Sequence, residues 1–142
     1  MVKNEHILIS LEARHADSIF SGKKHVELRR RRVHVMPGAT ALIYVKLPVG
    51  SIVGRVTISA VEVSTVANLW REYGCVSGLG KTEFFGYFRG ASNPVALILE
   101  GAKRYRTALT LAEIRKVVED FQPPQFFSRL QPEHPVLAAV GA

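Results

Sequence analysis

Cysteine is nearly absent from this chain of 142 residues, which contains only Cys75. A single cysteine excludes an internal disulfide framework and a zinc site built on cysteines. The chain also lacks an apolar run of about 18 residues, the length that crosses a bilayer. Residues 1–6 lack the apolar core of a signal peptide. We therefore expect a cytoplasmic protein with no membrane partner, and we predict neither a bound metal nor a cofactor.

Acidic residues are the second shortage. Twelve Asp and Glu stand against nineteen Lys and Arg, which gives a formal net charge of +7 and an isoelectric point near 9.9. Such an excess in a short chain favours a polyanionic partner. The length and the 47% hydrophobic content fit one domain over residues 1–142, because a chain of this size can bury roughly two thirds of its unfolded surface.

The basic residues are unevenly placed along the chain. Arg29, Arg30, Arg31 and Arg32 form one block, and a second block lies at residues 103–106. Such runs often do no more than keep exposed strands solvated. The first block, however, continues directly from a set of polar residues with unusual spacing.

That polar set follows a predicted helix. Apolar residues recur at helical spacing over residues 13–21, and Gly22 is placed to end this helix in the left-handed conformation. From residue 25 the pattern alternates, which predicts a strand. Glu27, Arg29 and Arg31 should share one face of that strand, with Lys24 held at the turn between helix and strand. The result is a polar site on a rigid edge.

The remaining pattern predicts strands joined by short turns, with helices inserted between them. Strands are predicted over 6–11, 40–47, 51–63 and 94–105, and helices over 64–73, with Ser64 as the cap, and over 82–88. Residues 110–113 have the form of a capping box and open a further helix, with Leu111, Ile114, Val117 and Val118 on its inner side. Consecutive strands should pair largely antiparallel. Periodicity alone indicates a generic α+β fold.

The spacing of Gly22, Lys24, Glu27 and Arg29 resembles the Gly-x-Lys-x-x-Glu-x-Arg signature of the ASCH domain, a member of the PUA-like superfamily. The resemblance extends to residues 7–11, 16–20, 43–45, 52–54, 69–70, 87–88 and 123–127. Residues 69–70, 87–88 and 123–127 resemble a bacterial and archaeal subgroup described as predicted PUA-like regulators. The resemblance implies a small mixed, mainly antiparallel PUA-like β-barrel of the α+β class, with helices in the connections and covering one end.

A cleft lined by Lys24, Glu27 and Arg29 suits a nucleobase with its phosphate. Arginine can contact a phosphate or a guanine edge through two hydrogen bonds, and a glutamate can accept one from an exocyclic amine. Tyr44 is the preferred candidate for stacking on a base. It is a weaker candidate for the core, because a buried hydroxyl needs a hydrogen-bond partner, and its strand could neighbour the polar strand. The alternative is an internal salt bridge from Glu27 to Arg29 or Lys24 that only fastens the helix to the strand.

We therefore predict a module that binds RNA or a modified nucleotide through Lys24, Glu27, Tyr44 and the four consecutive arginines. The alternative is a hydrolase with Lys24 and Glu27 as its acid and base. The resemblance implies either a ribonuclease or an N4-acetylcytidine amidohydrolase; in the latter, Glu27 replaces the family's threonine, and Glu72 or Glu83 would supply its glutamate. A third reading is a regulatory module with a partner protein, in which residues 136–140 form a docking strand.

Overall fold

The computed structural model describes residues 5–141, and that range contains six strands and five α-helices. Residues 1–4, part of the segment that lacks a signal-peptide core, lie outside the described range. The elements in chain order are β1 (His6–Leu11), α1 (Ala13–Phe20), β2 (Val26–Arg29), β3 (Ala39–Val45), β4 (Ser51–Val63), α2 (Val66–Tyr73), α3 (Lys81–Tyr87), β5 (Val95–Thr110), α4 (Leu111–Val117), β6 (Phe127–Leu130) and α5 (Pro135–Ala139).

All six strands join one sheet in the order β2-β5-β4-β3-β1-β6. Four of the five neighbouring pairs are antiparallel, and β1 and β3 run parallel. The predicted α+β class with a mixed, mainly antiparallel sheet is therefore confirmed. Because β2 pairs only with β5, and β6 only with β1, these two strands form the edges of the sheet within the described residues.

Apolar residues cover both faces of the sheet. Ile7, Ile9 and Ile43 belong to one buried cluster, and Leu8 and Leu42 belong to a second on the opposite face. Since alternate residues of a strand point to opposite faces, a strand buried on both sides reads as a continuous apolar run. This explains the almost wholly apolar sequences of β1 and β3.

A third cluster fixes the position of β2. Val26 and Leu28 pack with Leu69 of α2 and with Phe84 and Phe88 around α3. Each of these five side chains is at most 4% exposed. Burying the apolar face of β2 in this way turns Glu27 and Arg29 to the opposite side, as the alternation predicted.

Several predicted elements need correction. Thr65, rather than Ser64, caps α2, because its hydroxyl accepts the Asn68 backbone N–H at 3.1 Å. Strand β5 runs on to Thr110, five residues beyond its predicted end. The capping box at Thr110 is present, but Val117 is 47% exposed and does not face inward.

The C-terminal segment is a helix and not a strand. Pro135 occupies the first turn of α5, and His134 caps the helix by accepting the Val136 backbone N–H at 3.1 Å. Val136 and Leu137 are buried within the second apolar cluster. The prediction that residues 136–140 form a free docking strand is therefore wrong. No helix of residues 5–141 is long and apolar enough to cross a membrane.

Candidate functional site

The turn between α1 and β2 carries Lys24 into the interior. Gly22 has φ +84°, a left-handed conformation that a glycine adopts without steric cost. After this reversal, the backbone N–H of Lys24 donates to the Ser18 carbonyl at 3.0 Å, and that of His25 donates to the Val76 carbonyl at 2.7 Å. These bonds fix the chain on both sides, and the Lys24 side chain is left only 2% exposed.

Glu27 lies between two cations. Its Oε1 is 3.6 Å from Lys24 Nζ, and its Oε2 is 3.6 Å from Arg29 Nη1. The Glu27 side chain is 8% exposed and that of Arg29 is 29% exposed. Lys24 Nζ also donates to the carbonyl of buried Ser77 at 2.7 Å. The internal salt bridge that the sequence left open is therefore present, and Glu27 joins both candidate partners.

Burial disfavours the charged forms of both Lys24 and Glu27. Burial lowers the pKa of Lys24, and the nearby Glu27 carboxylate partly offsets that effect. Burial likewise raises the pKa of Glu27, while Lys24 and then Arg29 act to lower it. Each charge of the group partly compensates another, so removing one member leaves the others buried without a counter-charge.

Arg29 connects the two edges of the sheet. Its guanidinium carbon lies 3.3 Å from the centre of the Phe126 ring, immediately before β6. A guanidinium that stacks on an aromatic ring and pairs with a carboxylate is restricted in both position and orientation. The polar residues of β2 therefore lie at the seam where the two open edges of the curled sheet approach each other.

A cavity of about 240 Å³ opens beside this seam, and we call it the central pocket. Its lining includes Ser10, His15, Lys24, Glu27, Arg29, Glu83 and Tyr87. The side chains come from β1, β2, α1, α3 and the turns between them. At its rim, the Arg14 guanidinium binds both carboxylate oxygens of Glu83, and links α1 to α3. The pocket therefore combines a buried charged floor with a second ion pair at its entrance.

His15 and Glu83 are two titratable residues of the pocket that do not belong to the site predicted from the sequence. The pKa of His15 is lowered by burial, then by the positive charges of Lys24 and Arg14. The imidazole is therefore neutral near pH 7. Glu83 was only a positional candidate for a family glutamate. Neither residue carries a local signal, because both reach the pocket through the packing of α1 and α3.

The four arginines divide into different environments. Strand β2 ends at Arg29, so Arg31 does not share the strand face of Glu27 as expected. Arg30 donates to the carbonyls of Tyr87 and Arg89, at 2.5 and 2.8 Å, and so binds the C-terminal end of α3. Arg31 and Arg32 are exposed. Of the block, Arg31 and Arg32 are thus the residues best placed to meet a ligand from solvent.

Tyr44 does not lie at the pocket. It is 2% exposed and packs in the second apolar cluster with Leu8 and Ile52. Its strand, β3, is separated from β2 by β4 and β5, so the expected strand neighbourhood is wrong. The aromatic side chains near the pocket are instead Tyr87, whose hydroxyl donates to the Leu28 carbonyl at 2.9 Å, and Phe126. Residues 5–141 contain no group of three or more His, Cys, Asp or Glu arranged to hold a metal ion.

Comparison with known proteins gives concordant results. The family model described as "ASCH domain" matches residues 9–96. A curated Zymomonas mobilis protein named "ASCH domain-containing ribonuclease" is 33% identical over 126 residues, which span 89% of this chain and 84% of that protein. The crystal structure of ASCH from Zymomonas mobilis superimposes with a TM-score of 0.86 at 31% identity, covering 94% of this chain and 93% of the other.

A more distant structure extends the likeness of the fold. The N-terminal domain of Staphylothermus marinus McrB matches with a TM-score of 0.62 at 10% identity, covering 96% of this chain and 92% of that one. At that identity the likeness concerns the fold alone. Together with the Zymomonas mobilis structures, it confirms the PUA-like fold that the resemblance implied.

Proposed function

Since the chain belongs to the ASCH domain family, we propose that it binds single-stranded RNA, or RNA carrying a modified nucleotide, at the central pocket. The observation that carries this proposal is the pocket floor, where Glu27 is held between Lys24 and Arg29 beside exposed arginines. Cations suit phosphate, and the carboxylate suits the amino group of a base. Lys24, Glu27, Arg29, Arg31 and Arg32 are the proposed binding residues.

The dimensions and charge of the site support this ligand class. A cavity of about 240 Å³ with donors and acceptors on its floor suits one nucleotide rather than a double helix. Sequence-specific recognition of RNA relies mainly on unpaired bases of this kind. The net charge of +7 adds attraction for the phosphate backbone.

The salt dependence of affinity tests the proposal. For single-stranded RNA, the logarithm of the association constant should fall against the logarithm of salt concentration with a slope of about −0.7 for each phosphate neutralised. Arg31→Glu and Arg32→Glu should each make the slope shallower. Arg106→Glu makes the same change of charge on exposed β5 and should have a smaller effect. Arg30 is unsuitable here because it binds the end of α3.

Two outcomes would contradict the proposal. One is the absence of binding to single-stranded RNA at low salt. The other is equal weakening by Arg32→Glu and Arg106→Glu, which would indicate general attraction to a basic protein rather than a site beside the central pocket. Fluorescence anisotropy over a range of salt concentrations measures both.

Ribonuclease activity is a second candidate, favoured by the named activity of the Zymomonas mobilis relative and by the presence of His15 and Lys24 in one pocket. In such a cleavage, a base removes the proton of the 2′-hydroxyl, O2′ bonds to the adjacent phosphorus, and the bond from phosphorus to O5′ breaks as O5′ gains a proton. Neutral His15 suits the base. Lys24 suits the acid, with Glu27 compensating its charge.

Analysis of the cleavage products tests this second candidate. Wild-type protein should release 2′,3′-cyclic phosphate ends, and His15→Gln should abolish them while leaving RNA binding largely intact. Lys24→Arg keeps the positive charge but cannot release a proton at neutral pH, so turnover should fall strongly while affinity changes less. Cleavage that persists undiminished in both variants would remove these residues from the reaction.

A further inference from the structure

A second cavity, of about 490 Å³, adjoins the central pocket. We call it the arginine groove. Its lining residues include Arg29, Arg31, Arg32, Tyr87, Phe126 and Phe127. Arg29 and Tyr87 also line the central pocket, so the two cavities share a wall. A chain that leaves the central pocket across Arg29 enters the arginine groove directly.

The groove places aromatic rings among positive charges. Phe126 and Phe127 pack edge to face with their ring centres 5.1 Å apart. Arg29 covers the Phe126 ring at 3.3 Å, whereas the guanidinium of Arg129 lies 5.7 Å from the centre of the Phe127 ring. Both phenylalanines pack against the first apolar cluster but remain partly exposed. The face of the Phe127 ring is therefore less closely covered by a cation than that of Phe126.

This combination is typical of surfaces that bind single strands. Successive bases stack on aromatic side chains while cations follow the phosphate backbone, and every base offers a face for stacking. Strand β6, which begins at Phe127, is an edge strand of the described sheet, so no further strand covers the groove on that side.

We propose that the arginine groove is a second nucleotide subsite, occupied by the neighbour of the nucleotide held in the central pocket. The base of this neighbour stacks on Phe127, and Arg31 and Arg32 contact the phosphate that joins the two nucleotides. The inference rests on the proposed RNA binding and deepens it: the ligand is a strand of at least two nucleotides rather than a free nucleotide.

A series of ligands tests the subsite. Uridine monophosphate, the dinucleotide UpU and a longer oligouridylate are titrated against wild-type protein and against Phe127→Leu. Wild-type protein should bind the dinucleotide more tightly than the mononucleotide. Phe127→Leu should weaken dinucleotide binding about 5- to 150-fold, the equivalent of roughly 1–3 kcal/mol for one stacked base. Its affinity for the mononucleotide should be unchanged.

Two further variants separate this effect from a general defect. Phe85→Leu removes an aromatic ring of α3 that is 36% exposed. This ring packs with Trp70 of α2 and with Phe84, away from the groove. It should bind the dinucleotide as the wild type does. The double variant Arg31→Gln, Arg32→Gln changes only exposed side chains and should weaken dinucleotide binding more than mononucleotide binding, because these arginines contact the phosphate that joins the two nucleotides. It keeps the proposal testable if Phe127→Leu unfolds.

The possible results are distinct. Equal affinity of wild-type protein for mononucleotide and dinucleotide overturns the subsite, while mononucleotide binding that Arg29→Gln weakens leaves the proposed function standing. Equal affinity for single-stranded and duplex RNA also overturns it, because stacking requires an unpaired base. Failure to bind any of the ligands at low salt overturns both proposals.

Discussion

Replacing Glu27 by glutamine should destabilise the protein substantially. The change keeps the shape of the side chain but removes the charge that compensates Lys24 and Arg29, each 3.6 Å away. At an effective dielectric constant of about 20, each pair contributes roughly 4–5 kcal/mol of attraction, before the cost of burial is subtracted. Breaking a buried pair by removing one partner typically costs about 3–5 kcal/mol, because the other charge is left uncompensated.

Features around Lys24 place this variant near the lower limit of that range. Lys24 keeps its hydrogen bond to the Ser77 carbonyl, and because burial lowers its pKa, the release of its proton costs less free energy than it would in an exposed lysine. We therefore expect a loss of about 3 kcal/mol at pH 7, which corresponds to a fall of roughly 6–12 °C in the midpoint of thermal unfolding.

The pH dependence provides an internal check. The ordinary pKa of a lysine is near 10.5, and burial lowers the pKa of Lys24 in the folded protein while Glu27 opposes that shift. Without the Glu27 carboxylate, the pKa of Lys24 in the folded variant should be lower still. Folding therefore releases a proton between these two values, and the stability of Glu27→Gln should rise with pH across that window. The difference from the wild type should be smaller at pH 9.5 than at pH 7.

Urea unfolding followed by the fluorescence of Trp70, the single tryptophan, measures both quantities. The double variant Lys24→Met, Glu27→Gln should lose less than the sum of the two single variants, because its members share one interaction. A loss below about 0.5 kcal/mol for Glu27→Gln would refute the reasoning. Glu27 would then be a solvated ligand contact and not part of a desolvated group.

Two further pairs of substitutions test how the surrounding fold is built. Gly54→Ala should lower the free energy of unfolding by about 1–3 kcal/mol, because its Cβ would lie 2.5 Å from both a backbone oxygen of β5 and the Phe20 ring. Gly86→Ala, in open space within α3, should instead stabilise the protein by about 0.5–1 kcal/mol. Thr65→Ala should cost about 1 kcal/mol, more than Ser64→Ala, since Thr65 caps α2. Urea midpoints check both, and a harmless Gly54→Ala or a reversed order at the cap would contradict them.

The sequence predicted local features of the site well. Helix α1, the left-handed glycine and strand β2 each depend on residues close together in the chain, so periodicity and turn chemistry predict them. The relative positions of Lys24, Glu27 and Arg29 followed from that local geometry. The burial of Glu27 did not, because alternation separates the faces of a strand but does not show what covers each face.

The sequence did not predict contacts between residues that lie far apart in the chain. Nothing in the sequence of β2 indicates β5 as its partner, and the packing of Arg29 on Phe126 depends on how the whole sheet curls. Tyr44 was misplaced for the same reason. Strand β3 is apolar on both faces, so its pattern could not show which face Tyr44 would join. The C-terminal run was misread because a short apolar segment fits helix and strand alike.

The seam between the two edges of the sheet also has a consequence for biosynthesis. A chain made from its N-terminus exposes Lys24 and Glu27 to the cell long before Phe126 exists, and β2 has no strand to pair with until β5 has emerged. During that interval the charged residues are solvated and no pocket encloses them. The site therefore forms only after the last edge of the sheet has been translated, so a nascent or truncated chain that lacks this edge should be unable to hold a ligand at the pocket.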